Sequence, residues 1–258
     1  MKRILFLMLS FLLLYACNEN TNCVTEDVRT REIVEVRAMN AEAFFSFDSV
    51  TNPVVWRTFQ SLEEMQVACQ VPEDILESMS TDNLIQTCMN YPLYGNYLAY
   101  NNELEGIKFI INGFNGFAEL QNREDAADRL IAYYEGIDVR KIAENAITLS
   151  ATKNELSVLH IGYLELILSS RLVPSLYAEP NISRLEKARY KKYEDKLQNS
   201  EVYSLQVIKK SLLLGAQIKL KSKEINNEEK SLLSRFVEMG GEVNTLEDYT
   251  KVSQIINK

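Results

Sequence analysis

Apolar residues recur at helical spacing along most of this chain. Leu104, Ile107, Ile111, Phe114 and Ala118 mark one face of a helix, and Ala127, Leu130, Ile131 and Tyr134 mark the next, which Gly136 stops. The short polar link at residues 121–125 suits an antiparallel hairpin of the two. The same period continues through Leu156, Leu159, Tyr163 and Ile167, then Leu205, Ile208, Leu212 and Ala216. It resumes in Leu232, Leu233, Phe236 and Val237, which end at Gly240-Gly241, and in Leu246, Tyr249, Val252 and Ile256. Three pairs, Ser61 with Glu64, Thr152 with Glu155 and Ser183 with Glu186, place a hydroxyl three residues before a glutamate. Each pair predicts a helix start, because the two side chains satisfy free backbone N–H groups reciprocally. Pro72, followed by Glu73 and Asp74, suits the first turn of a further helix. Alternation of period two is confined to a short strand-like run at residues 33–36. The pattern predicts an all-α body, an array of antiparallel helix pairs, with a solenoid-like stack as one form of it. No fixed repeat length supports the solenoid form beyond the number of helices.

The start of the chain has a different pattern. Lys2 and Arg3 precede an apolar run over residues 4–14, too short for a permanent membrane span and typical of an export signal. Leu14-Tyr15-Ala16-Cys17 resembles the lipobox of bacterial lipoproteins, with Tyr15 where the motif prefers a smaller residue. That resemblance implies a signal peptide at residues 1–16 and a diacylglyceryl group on Cys17. Residues 17–40 read as a lipidated cysteine and a polar, flexible tether, and residues 41–258 as the helical body. A change from Asn, Tyr and Gly to Lys and Leu divides the body into lobes 41–150 and 151–258. Two or more acyl chains hold a protein stably to a membrane without a basic patch. The expected location is the cell envelope, anchored in the outer membrane. Asn18-Glu19-Asn20 leaves the periplasmic and surface faces equally open.

Charge narrows the partners. The chain carries 28 Lys and Arg against 36 Asp and Glu, a net charge of −8, and loss of Lys2 and Arg3 makes the body more acidic still. Nucleic acid is excluded as a partner, since such binding draws its affinity from phosphate neutralisation. Partners are then the membrane through lipid, and a protein or a glycan. The single histidine, His160, cannot build a two-histidine metal site, and neither a metal nor a cofactor is expected. His160 beside Leu159 and Tyr163 suits a hydrogen-bonded position at the core boundary. With Cys17 lipidated, Cys23 falls in the tether, and Cys69 and Cys88 fit either a disulfide or two buried thiols.

Several segments could carry function. Tyr91, Tyr94, Tyr97 and Tyr100 recur every three residues around Asn96, as a ligand surface of stacking rings and amides would require. In an α-helix that step turns each ring 60° from the last, which favours core packing for part of the set. Gly106, Gly113 and Gly116 interrupt an apolar helix, so they mark a close neighbour or a helix break near residue 114. Arg184, Lys187, Arg189, Lys191, Lys192 and Lys196 read as a solvated basic face. Glu63 with Glu64, Glu73 with Asp74, and Glu103 with Glu105 are the carboxylate pairs that a hydrolase would use.

One further resemblance rests on Ala68-Cys69-Gln70-Val71-Pro72, Met79-Ser80-Thr81, Cys88-Met89-Asn90-Tyr91-Pro92 and Phe114-Asn115-Gly116-Phe117. These motifs, within residues 62–138, are similar to a family of all-helical lipoproteins of Bacteroides-type bacteria that carries no assigned activity. It implies an exported helical lipoprotein and no catalytic residue. The expected function is a non-enzymatic interaction or ligand-binding module of the envelope. The alternatives are a glycan or cell-wall hydrolase with paired carboxylates, and a structural envelope protein.

Overall fold

The computed structural model describes residues 44–148, 156–222 and 224–258, and every regular element among them is helical. The export signal, Cys17, the tether with Cys23, the 33–36 run and the Thr152 and Glu155 pair lie outside the described residues. Two one-turn helices, α1 (Asp48–Thr51) and α2 (Pro53–Trp56), lead into α3 (Leu62–Ala68), α4 (Glu73–Ser78) and α5 (Thr81–Met89). A 3-10 helix, Tyr94–Ala99, joins these to α6 (Glu103–Gly113), α7 (Asn115–Asn122), α8 (Ala126–Gly136) and α9 (Val139–Thr148). Then come α10 (Val158–Ser169), a 3-10 turn at Pro174–Tyr177, α11 (Asn181–Gln198), α12 (Leu205–Lys219), α13 (Asn227–Glu238) and α14 (Leu246–Ile256). No helix among the described residues is long and apolar enough to cross a membrane.

The pivot of the packing is α10. Its sequence is apolar on all sides, and a helix with no polar face must be covered on all sides. Every residue from Ile161 to Ser169 is buried, with α5, α6, α9 and α12 packed around it. Chain direction follows from the contacts. Glu165 meets Lys196 of α11, and both Glu165 and Lys196 meet Ser211 of α12, while Arg189 lies further along α12 against Gly215. Hence α11 and α12 run antiparallel. Gly162 lies against Lys210, so α12 returns alongside α10 in the same direction. The core is one apolar cluster that takes residues from both sides of the expected 150/151 division. Burying Leu164, Leu166 and Leu168 contributes about 1.5–3 kcal/mol each, enough to offset a few polar groups among them.

Local signals succeed where the chain alone decides them. Ser61 caps α3 by accepting from Glu64 N, and Thr245 caps α14 by accepting from Asp248 N. The Glu64 carboxylate, however, accepts from Gln60 N, one residue earlier than a reciprocal box requires. Reciprocal boxes form instead at Ser157 with His160, and at Asn226 with Glu229. Ser183 does not start α11, which begins at Asn181, and its hydroxyl bonds to the Glu179 carboxylate. Both expectations for the glycines are met at different positions. Gly106 lies against the Tyr97 backbone, and Phe114, with extended φ and ψ, separates α6 from α7.

Candidate functional site

The tyrosine segment divides between core and surface. A 3-10 helix has three residues per turn, so Tyr94 and Tyr97 share a face, and that face points inward. Tyr97 is 0% exposed and lies parallel to Tyr163 at 6.1 Å between ring centroids. Tyr91 is buried as well, stacked on Phe114 at 4.3 Å. This corrects the expectation of a ligand surface at Tyr91 and Tyr97. Tyr94 is half-buried and stacks on His160 at 4.6 Å, Asn96 is half-buried, and Tyr100 remains exposed beside Phe109. Burial pushes the phenols of Tyr91 and Tyr97 well above the ordinary range, and neither hydroxyl has a hydrogen-bond partner among the described residues. An unpaired buried hydroxyl costs about 1–3 kcal/mol. Tyr97→Phe is therefore expected to leave the thermal midpoint unchanged or raise it, and a fall of several degrees would show that the hydroxyl has a role.

The cysteines take the second of their two expected states. Cys69 and Cys88 are buried free thiols, which corrects the disulfide expectation. Burial raises the Cys69 thiol to about 11 and Cys88 further, so neither supplies a thiolate at neutral pH. His160 sits at the α10 start, where its Nδ1 accepts from Ser157 N at 3.3 Å, and burial lowers its pKa. Among the described residues no group of three or more His, Cys, Asp or Glu is arranged to hold a metal ion.

The basic run on α11 is the largest departure from expectation. Leu185, Ala188, Arg189, Lys192, Tyr193 and Lys196 form its buried face, so three of the six cations point into the protein. Lys196 Nζ donates to Glu165 Oε2 at 2.6 Å and to Ser211 Oγ at 3.0 Å. Glu165 Oε1 accepts from Tyr134 Oη and from Ser211 Oγ, each at 2.8 Å. All four side chains are wholly buried, and burial lowers the Lys196 pKa against the pull of Glu165. Lys192 Nζ donates to the Ile137 carbonyl at 2.7 Å, at the end of α8, and burial pulls its amine down to about 8. Arg189 is bidentate to Glu186 and also donates to Asn257 Oδ1 at 3.1 Å, which ties α11 to the C-terminus. Ser211 beside Lys196 has the composition of a nucleophile and its base, yet Glu165 occupies the amine and no substrate reaches a fully buried pair. The network clamps α8, α10, α11 and α12 together.

Signals for this network were present in the sequence. Glu165 is the one acid in the apolar run of α10, and a lone buried charge requires a partner. Arg189, Lys192 and Lys196 are in helical phase with Leu185 and Ala188, so they lie on the apolar face of α11.

The expected carboxylate pairs are committed elsewhere. Glu103 pairs with Lys210 at 3.0 Å, Glu105 with Lys108 at 2.7 Å, and Glu63, Glu64, Glu73 and Asp74 lie exposed near helix starts.

An open cavity of about 400 Å³ is the best candidate site. It lies where α10, α12 and α13 end, beside the start of α6, whose Asn102 donates from Nδ2 to the Glu238 carbonyl at 3.0 Å. Gln217, 5% exposed, lines it, and its buried Oε1 has no hydrogen-bond partner among the described residues. Arg171 stands on the rim with φ at 63°, a left-handed conformation in which glycine is the usual residue. Sequence reasoning missed both, since neither spacing nor composition distinguishes one Gln or one Arg among many. No protein-family model, curated protein or solved structure matches this chain.

Proposed function

We propose that this chain is an exported lipoprotein of the bacterial cell envelope, anchored in the outer membrane through Cys17, with a helical body that acts as a non-enzymatic binding module. The anchoring half rests on Lys2-Arg3, the apolar run behind them and Leu14-Tyr15-Ala16-Cys17, which resembles a lipobox. The family resemblance within residues 62–138 points the same way. The binding half is carried by one contrast: the reactive groups are sealed and mutually satisfied around Glu165, whereas the open cavity is lined by a buried amide with no partner among the described residues. Binding sites of this size are mostly concave, with a few placed polar groups. The partner is of protein or glycan chemistry, and the location of the contact shifts from the tyrosine segment to the cavity.

Cys17→Ser is expected to abolish fatty-acid labelling of the chain and to move it from the membrane to the soluble fraction. Retained labelling would overturn the anchor. The unmutated chain, incubated with cell-wall glycan, is expected to release no reducing ends, and their release would make the body a hydrolase.

A further inference from the structure

We infer that the cavity between the ends of α10, α12 and α13 is a binding site for a short zwitterionic peptide, of two or three residues with free termini. This rests on the reading of the body as a binding module and goes beyond it in naming the ligand class and the residues that select it.

The base of the cavity sets the first requirement. Among the described residues the Gln217 carboxamide makes no hydrogen bond, although α12 around it is filled by Leu213, Leu214, Ala216 and Ile218. A leucine there would remove a buried, unpaired polar group that costs about 1–3 kcal/mol. A carboxamide presents one acceptor and one donor side by side, the complement of a peptide group, which offers N–H and C=O in the same plane. Oε1, sealed from solvent as the side chain stands, accepts a ligand N–H once the carboxamide turns outward, and Nε2 donates to a ligand carbonyl.

The rim sets the second. Among the described residues the Arg171 guanidinium has no ion pair and no hydrogen bond, and its one contact of note is the Tyr177 ring at 5.7 Å. Its fork of donors matches a carboxylate in two parallel bonds. An arginine held in a left-handed conformation at the end of α10 costs more than glycine would, a cost that fits a residue retained for its side chain.

The charged lining sets the third. Three helices, α10, α12 and α13, end at this cavity and α6 starts at it, so the helix dipoles there oppose one another. Lys108 and Glu105 also line it and pair with each other at 2.7 Å. Among the described residues Glu238 has no ion pair, and its carboxylate receives an ammonium. No aromatic ring among the described residues lines the cavity to stack on a sugar. Amide, free cation and free carboxylate fit a molecule with a peptide group, a carboxylate and an ammonium. A cavity of about 400 Å³ lies in the lower part of the range used for small ligands, which suits a di- or tripeptide.

The test is titration of the full chain, solubilised in detergent, with dialanine and trialanine, followed by calorimetry and by amide chemical shifts. One of the two is expected to saturate with a dissociation constant at or below about 1 mM. N-acetyl-dialanine amide, which keeps the peptide group and loses both charges, is expected to bind at least roughly tenfold more weakly, as loss of charge-assisted bonds requires. Arg171→Gly and Gln217→Leu are each expected to weaken binding roughly tenfold or more without lowering the thermal midpoint, because glycine suits the backbone and leucine leaves no unpaired amide. Absence of saturation by either peptide at about 10 mM would overturn the assignment, as would binding that both variants leave unchanged. The two levels fail separately: release of reducing ends from wall glycan overturns the binding-module reading, whereas silent peptides without such release overturn the peptide assignment alone.

Discussion

Lys196→Met is expected to lower the unfolding free energy by about 3–5 kcal/mol, the largest single effect predicted for this protein. Methionine keeps most of the volume of the lysine stem, so the loss isolates the charge. With the ammonium removed, Glu165 stays wholly buried with only the Tyr134 and Ser211 hydroxyls as donors. A carboxylate so placed has lost its solvation and its counter-charge, and that cost exceeds the modest net gain of the intact pair. The double variant Glu165→Gln with Lys196→Met separates the two terms. A neutral amide can still accept from Tyr134 and Ser211, so the double variant is expected to be more stable than Lys196→Met by more than about 1 kcal/mol. Urea unfolding measures both, as a lower midpoint with an unchanged slope. Equal losses for the single and double variants would show that the lysine acts by packing alone.

Gly106→Ala is the second large effect, and its sign is what makes it informative. In an exposed helix interior this change stabilises by about 1 kcal/mol. Here an added Cβ would sit 2.8 Å from both the Cα and the carbonyl oxygen of Tyr97, backbone atoms of the 3-10 helix packed on α6. Backbone cannot swing aside as a side chain does, so α6 and the 3-10 helix must separate. The expected cost is about 1–3 kcal/mol, and more for Gly106→Val. Gly136→Ala is the control: nothing lies within 4 Å of the added Cβ, and its midpoint is expected to stay level or rise. If Gly106→Ala also raised the midpoint, the close approach of these two elements would be refuted.

These two sites show what is legible in a sequence. Gly106 was visible as an anomaly, since an interior glycine on a strong apolar face signals a neighbour that needs the space. The neighbour itself was not visible, because Tyr97 reaches it by folding back through a turn that no local rule encodes. The tyrosine repeat reaches core packing for part of the set by a different route. Its spacing of three favours that reading against a period of 3.6, while the chain there adopts a period of 3.0, which turns Tyr94 and Tyr97 to one inward face. Composition assigns the basic run of α11 to solvent, whereas the phase of Leu185 and Ala188 places Arg189, Lys192 and Lys196 on the buried side. Composition counts charges, whereas phase places them.

What the sequence determined by itself is the all-helical class and most helix limits, because apolar period, caps and glycine stops act within one or two turns. Apart from Ser183, the starts and stops read from Ser61, Pro72, Gly136 and Gly240-Gly241 fall at helix ends among the described residues. What only the tertiary structure decided is which polar groups meet. Glu165, Lys196, Ser211 and Tyr134 come from four helices, and Gln217, Arg171 and Glu238 converge from the ends of two of these, α12 and α10, and of α13. Burial turns such encounters into strong constraints, because a charge or amide removed from water must find its partner in the fold or in a ligand, and that choice depends on helix packing rather than on local spacing.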